Sequence, residues 1–322
     1  MSADPIDLSI VIVNWNVREM LRECLASVRR ETRCPADRHE VHVVDNASAD
    51  GSIEMVRREF PDIRLTANEA NVGFARAHNQ ILDRCRGRYI LALNPDTVVI
   101  DGAIDRMLGW MDSHPDVGVL GCRKLNSDGS FQRAAGGAFP TLRNMTWNYL
   151  FLNKLLPRSW APPALFMEED LQGDLDIDWV SGAALLVRRE ALEGRFFDEA
   201  FFMFGEDWEL CERVRRGGRR VVYTSRATVI HHHGGSMSKQ DSQAVFDTAL
   251  KGPRTFYAAR NGRTRLRAYD LIVLAGYLIR WPLFGLMSLV DRGTNASQRS
   301  RDSRRHAWTA LRLLLRSDGT GR

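Results

Sequence analysis

Three groups of residues in this 322-residue chain combine types and spacing that could do chemistry. The first is Asn94-Pro95-Asp96, which follows the short apolar run Tyr89–Leu93. Pro95 cannot donate to a β-ladder and so stops a strand there. Ligands of open α/β sheets bind just beyond the carboxyl ends of the strands, so Asp96 is placed to hold a metal or a phosphate-bearing ligand. The tripeptide reads as readily as a turn, because Pro and Asp both favour turns. The second group is Glu206-Asp207, after the aromatic run Phe201-Phe202-Met203-Phe204 and Gly205. It opens a predicted helix reaching about Arg216. Acidic residues in a first turn suit the helix dipole, and a carboxylate held there beside aromatic rings is also placed to remove a proton. The third is His231-His232-His233, between a predicted strand over Arg220–Ile230 and Gly234-Gly235. One or two of these imidazoles would complete a metal site with Asp96.

The elements that must position these groups follow from periodicity. Leu8–Asn14, Glu40–Asp45, Ile63–Ala67 and Tyr89–Leu93 read as buried strands. Val17–Arg29, Ser52–Phe60 and Gly73–Cys85 read as helices between them, which predicts a parallel, doubly wound sheet through about residue 97. Each strand ends in polar residues: Asn14-Trp15-Asn16, Asp45-Asn46, Asn68–Asn71 and Asn94–Asp96. A parallel sheet gathers these four loops on one rim. Further on, Ala103–Ser113 reads as a helix, Val117–Gly121 as a strand and Thr141–Leu156 as an aromatic-rich helical stretch. The segment Pro157–Asp178 reads as a mobile loop. Asp178–Val187 is strand-like but broken at Ser181-Gly182, where a glycine marks a bulge or the close approach of a ligand. No G-x-G-x-x-G follows the first strand and no G-x-x-x-x-G-K-[ST] occurs, which argues against a dinucleotide fold of the usual kind and a P-loop ATPase.

The five cysteines are scattered and never spaced C-x-x-C, so no disulfide framework or zinc site is expected, and the compartment is reducing. The acidic amino terminus leads straight into a strand, which predicts no signal peptide. The net charge of +5 is uneven: residues 251–322 carry 15 Lys and Arg against 4 Asp and Glu, whereas residues 1–250 carry 30 against 36. A basic, partly apolar tail on an acidic body suggests an anionic surface as its partner. Within Arg265–Val290, two apolar runs flank Arg280, and neither reaches the ~20 residues that span a bilayer. Arg280 and Pro282 weigh against one continuous span. The expectation is helices lying on a membrane surface with arginines toward anionic headgroups; the alternative is a helix pair packed on the preceding domain. Ala307–Leu315 adds another amphipathic stretch. No recognition motif supports nucleic-acid binding.

With these residues laid out, the chain resembles the family 2 glycosyltransferases with the GT-A fold, especially the bacterial rhamnosyltransferase-like branch. The matching segments are Ser9–Asn16, Val44–Ser52, Asn71–Asn79, Leu93–Thr97, Trp179–Ala183, Phe204–Asp207 and the histidine cluster, in family order. The resemblance implies an α/β, Rossmann-like, mostly parallel sheet flanked by helices. It implies a catalytic domain over 1–240, with a nucleotide-binding half to about 97 and an acceptor half beyond it, and a helical basic extension over 241–322. It implies inverting transfer from a nucleotide-sugar, dTDP-rhamnose by branch, with a divalent cation, Mg²⁺ or Mn²⁺. The acceptor would be a cell-envelope glycan or a lipid-linked sugar, at the inner face of the cytoplasmic membrane. Asp207 matches the catalytic base. Asn14, Asp45, Asn46, Asn71, Gly73, Arg76, Asn94 and Asp96 match nucleotide-sugar contacts. Trp179, Ser181, Gly182 and Glu206 match the sugar and acceptor cleft. Asp96 matches the last acid of the D-x-D motif; Asn94 stands at its first position, so cation binding leans on His231 or His233. Other readings are a different UDP- or GDP-sugar, or a non-catalytic nucleotide-binding scaffold. A nucleotidyltransferase would show a basic, Gly-rich loop near the amino terminus, which is absent.

Overall fold

The computed structural model describes residues 6–232, 242–290 and 296–316. They form two compact units, 1–138 with 166–239 and 139–165 with 240–322. Residues 139–165 thus group with the carboxyl-terminal segment, not with the sequence that flanks them.

In the first unit β1 (Leu8–Asn14), α1 (Arg18–Glu31), β2 (His39–Asp45), α2 (Ser52–Glu59), β3 (Arg64–Ala67), α3 (Phe74–Asn79) and β4 (Tyr89–Leu93) alternate. The four strands pair in parallel in the order β3-β2-β1-β4, as periodicity predicts. Every side chain of β1 and β4 is buried, the composition a parallel strand covered on both faces requires. The face of α1 buries Leu21, Cys24, Leu25 and Val28 against them. Each such side chain contributes roughly 1.5–3 kcal/mol on burial.

Beyond Leu93 the pattern changes. β5 (Thr97–Val99), α4 (Ala103–Ser113), β6 (Val117–Leu125) and β7 (Gly136–Gly137) follow. The chain then gives α5 (Leu142–Tyr149) and α6 (Leu152–Leu155) to the second unit. β8 (Asp174–Asp176), β9 (Trp179–Val180), β10 (Ala184–Arg188), α7 (Glu206–Arg216) and β11 (Arg220–His231) complete the first. The sheet continues β4-β10-β6-β11-β5, with β8 also on β11. β10 is antiparallel to both β4 and β6, and β11 is parallel to β6 and antiparallel to β5 and β8. The second half is therefore mixed. β8 gives the supposed loop 157–178 an edge strand, where Thr224 and Trp110 donate to the Asp174 carboxylate at 2.6 and 3.1 Å.

The second unit adds α8 (Ser242–Val290) and α9 (Ala296–Arg316). α8 kinks at Gly262, whose φ of 75° and ψ of 174° are not helical. It then runs unbroken through Arg280 and Pro282, where the sequence argued for an interruption. Arg280 does not reach outward as expected: it donates to the carbonyls of Gly276, Asn148 (3.0 Å each) and Tyr149, and stacks over Phe151 at 4.2 Å. Two of those carbonyls end α5, where a cation caps the dipole. The stretch Asp247–Leu289 is, among the described residues, the one helix long and apolar enough to cross a membrane by length and composition.

Candidate active site

The rim forms as predicted at the β1–β3 end. Asn14, the last residue of β1, donates Nδ2 to Asp45 Oδ2 at 2.7 Å, and Ser48 N–H donates to Asp45 Oδ1 at 2.7 Å. Asp45 is 1% exposed, so both carboxylate oxygens serve to hold the loop after β2. The other amide atom of Asn14, Oδ1, is buried with no hydrogen-bond partner among the described residues. Asn46 donates to the Gly73 carbonyl at 3.3 Å and accepts from Asn68 at 2.9 Å, while Asn71 Oδ1 accepts from Gly73 N–H at 3.0 Å. Gly73 has φ +88°, and a Cβ there would stand 2.7 Å from the Phe202 ring; no other residue type fits. Arg76 lies exposed on α3.

That glycine ties the β1–β3 end of the rim to the helix-start acids. Phe74 N–H donates to the Phe202 carbonyl at 2.9 Å. From Phe202 the chain turns through Phe204 (φ 68°) and Gly205 (φ 95°) into α7. Glu206 and Asp207 follow at once. Gly182 N–H donates to Asp207 Oδ2 at 3.2 Å, and Trp208 N–H donates to Oδ1 at 2.9 Å. The break between β9 and β10 thus lies where the Asp207 carboxylate meets the backbone, with ordinary van der Waals room for a Cβ at Gly182, 3.8 Å from that of Asp207. Trp179 is buried; its indole N–H donates to the Ala138 carbonyl at 3.2 Å and its ring packs 5.3 Å from Trp208.

Two residues that sequence reasoning missed complete this side. Lys124, on β6, is 5% exposed and donates to Ser181 Oγ at 3.0 Å and the Ala134 carbonyl at 3.3 Å. Burial pushes its ammonium down to about 8, opposed by the charges of Cys122, Asp207 and Asp96. Burial raises the Asp207 carboxyl, and the Gly182 and Trp208 N–H groups and the Lys124 charge oppose the rise. Burial, and then the neighbouring Asp207 charge, raise Glu206 well above the carboxylate range; its Oε2 has no hydrogen-bond partner among the described residues. Glu206 is therefore the neutral acid of the pair. The strand expected over Val117–Gly121 runs on to Leu125, and its alternation puts Lys124 on the face of Leu120 and Cys122, an unusual place for a charge.

The second missed residue is Gln132, met again below. The metal candidates gather through β5. Antiparallel pairing sets His231 opposite Thr97, and His232 N–H donates to the Asp96 carbonyl at 2.9 Å. His231 Nε2 thereby lies 3.2 Å from Asp96 Oδ1 and 3.2 Å from Asn94 Nδ2. Asn94 N–H donates to the Ala183 carbonyl at 2.9 Å, which ties this pair to the Ser181–Gly182 break. His233 lies outside the described residues. Among the described residues no group of three or more His, Cys, Asp or Glu forms a metal site. An oxygen and an imidazole nitrogen so close suit Mg²⁺ or Mn²⁺, ions that keep water and phosphate oxygens among their ligands.

Comparison with known proteins gives the family. The profile of Glycosyl transferase family 2 matches residues 9–196. The N-acetylglucosaminyl-diphospho-decaprenol L-rhamnosyltransferase of Mycobacterium tuberculosis is 28% identical over 249 residues, covering 72% of this chain and 78% of that protein. Rhamnosyltransferase WbbL of Escherichia coli K12 is 26% identical over 190 residues, 57% of this chain and 66% of its own length. In three dimensions the mannosyltransferase PcManGT of Pyrobaculum calidifontis, solved with GDP-Man and Mn²⁺, superposes with a TM-score of 0.56. It covers 98% of this chain and 90% of its own at 17% identity, which speaks to fold alone. Since the profile spans more than half of the sequence and includes the Asp45 and Asp96 ends of the rim, the chain belongs to glycosyltransferase family 2, rhamnosyltransferase-like, with the GT-A fold.

Proposed function

We propose that this enzyme transfers a hexose, with dTDP-rhamnose the favoured donor, to a cell-envelope glycan or a lipid-linked sugar, inverting the anomeric centre. The observation that carries the reading is the placing of Asp207 against Gly182, in one network with Lys124 and the Asp96–His231 pair. In this account Asp207 accepts the proton of the acceptor hydroxyl. The acceptor oxygen bonds to the anomeric carbon, and the nucleoside diphosphate departs with the electron pair of the broken C–O bond. The two N–H groups on Asp207 hold its oxygens in place and favour its charged form, and the Lys124 ammonium adds to this against the upward push of desolvation. Glu206, neutral, adds no second negative charge. Asp96 and His231 are the residues that would hold Mg²⁺ or Mn²⁺, which when bound neutralises charge on the departing diphosphate. The Asn14–Asp45–Asn46 end of the rim, with Asn71, Gly73 and Arg76, takes the nucleotide. Trp179, Ser181 and Gly182 stand on the sugar and acceptor side.

The donor choice rests on the kinship with rhamnosyltransferases. The named acceptor of the mycobacterial relative is a sugar on a diphospho-decaprenol, and a polyprenyl-linked acceptor here gives the second unit a purpose. Leu271, Leu278, Trp281, Leu286 and Leu289 are exposed along α8, more apolar surface than a solvated helix carries. Residues 265–322 would rest on the cytoplasmic face of the membrane and bring the enzyme to its acceptor. The test is a panel of nucleotide-sugars scored for thermal stabilisation with Mn²⁺ and for transfer to a polyprenyl-diphosphate sugar. A true donor at a hundred times its Kd adds about 2.7 kcal/mol of stability. Stabilisation and transfer by dTDP-rhamnose with inversion support the reading; transfer from a UDP- or GDP-sugar alone would replace the donor.

A further inference from the structure

A histidine can ligate a cation through a ring nitrogen only if that nitrogen carries no proton, and one buried side chain decides this for His231. Gln132 is 7% exposed and anchored by its own N–H, which donates to the Lys124 carbonyl at 2.8 Å. Its side-chain Nε2 donates to the backbone carbonyl of His231 at 2.8 Å and to Asn126 Oδ1 at 3.0 Å. A backbone carbonyl only accepts, so the atom facing it is the nitrogen of the amide and the amide cannot be turned over. Asn126 is fixed by the same logic, since its Nδ2 donates to the Phe131 carbonyl at 3.4 Å and to Ser130 Oγ at 2.9 Å. Gln132 Oε1 is therefore the atom 2.7 Å from His231 Nδ1. An amide oxygen accepts only, so Nδ1 carries a proton. Nε2 faces the Asn94 Nδ2 donor and the Asp96 carboxylate, each at 3.2 Å, and is the nitrogen that a cation held by Asp96 would meet.

We propose that Gln132 is a positioning residue that fixes His231 in its Nδ1–H form and presents Nε2, beside Asp96, as a ligand for a divalent cation. The inference rests on the reading above that Asp96 and His231 hold Mg²⁺ or Mn²⁺. A partner that accepts the far N–H of a ligating histidine orients the ring and raises its basicity, and losing it typically costs about 10–100-fold in metal affinity. Gln132 supplies both constraints at once, since its oxygen sets the proton and its nitrogen ties the backbone that carries the ring. It lies 99 positions from His231 in sequence.

Two measurements on the full chain test this. In the metal-free protein labelled with ¹⁵N-histidine, long-range ¹H–¹⁵N correlation reports which nitrogen of His231 is protonated. Nδ1–H in wild type and a mixture in Gln132→Leu are expected; an unprotonated Nδ1 in wild type overturns the proposal whether or not any variant folds. Mn²⁺ binding, read by electron paramagnetic resonance of the free ion, should weaken about 10–100-fold in Gln132→Leu. It should weaken at least as much in His231→Ala. Wild-type affinity in Gln132→Leu with loss in His231→Ala overturns the role of Gln132 and leaves the metal reading intact. Wild-type affinity in His231→Ala, or no Mn²⁺ binding by wild type, overturns both.

Discussion

Asp45 ends strand β2 and Asp207 stands in the first turn of α7, and their surroundings differ in kind. Asp45 is 1% exposed and each oxygen accepts a hydrogen bond, from Asn14 and from Ser48. Around Asp207, three titratable groups share a desolvated space: Glu206 raised, Asp207 raised, and the Lys124 ammonium lowered to about 8. Each oxygen of both carboxylates accepts an internal hydrogen bond, but only Asp207 also shares its space with a second acid and an ammonium. Such ionisable company is what readies a carboxylate to take a proton. In the function proposed above, the β1–β3 end of the rim would frame the ligand and the α7 end would be where charge moves.

Substitutions can break this contrast. Asp96→Ala should abolish Mn²⁺-dependent donor binding measured by calorimetry, the largest effect on binding; undiminished affinity would remove Asp96 from the cation site. Lys124→Met should follow. Asp207 must be ionised to act, and Lys124 opposes the upward push of burial, so removing the ammonium raises the Asp207 carboxyl further. The acid limb of the kcat/KM profile then moves to higher pH, and Lys124→Arg restores it. An acid limb unmoved in Lys124→Met would show that the two groups do not act together. Asp45→Asn should lower stability by roughly 1–3 kcal/mol in urea denaturation, because it weakens buried hydrogen bonds, with a smaller loss of turnover than Asp207→Asn. Equal turnover losses would erase the contrast. Smallest for chemistry in solution, Leu286→Glu should reduce flotation with anionic liposomes and leave transfer to a soluble acceptor unchanged. Flotation equal to wild type would take α8 off the membrane.

The sequence made these two ends unequally legible. β1 to β4 are local repeats of an apolar strand and an amphipathic helix, so Asn14, Asp45, Asn46 and Asn71 could be placed on one rim by period alone. The α7 side depends on partners far apart in the chain. Thr97–Val99 is only three residues long and follows Pro95-Asp96, a turn by composition; it becomes a strand because β11, some 130 residues later, pairs with it. That pairing sets His231 beside Asp96, and no local pattern announces it. Gln132 sits in a polar stretch between Asn126 and Ala134 whose residues look like any loop. Lys124 did leave a mark, a charge on the apolar face of a strand, but a single strand with one lysine is easily taken for an edge. Arg280 and Pro282, which weigh against a continuous membrane span, do not interrupt the helix. Both are poor spanning residues, yet the guanidinium satisfies the α5 carbonyls and the helix continues past the proline.

In the proposed reaction Asp207 receives the proton of the acceptor hydroxyl. Single-turnover transfer by Asp207→Asn, with donor bound at wild-type occupancy, tests it most directly. A fall of about 10²–10⁴-fold, with donor affinity and thermal stability unchanged, is the expected result. Transfer at the wild-type rate would contradict it and move the base elsewhere in the site.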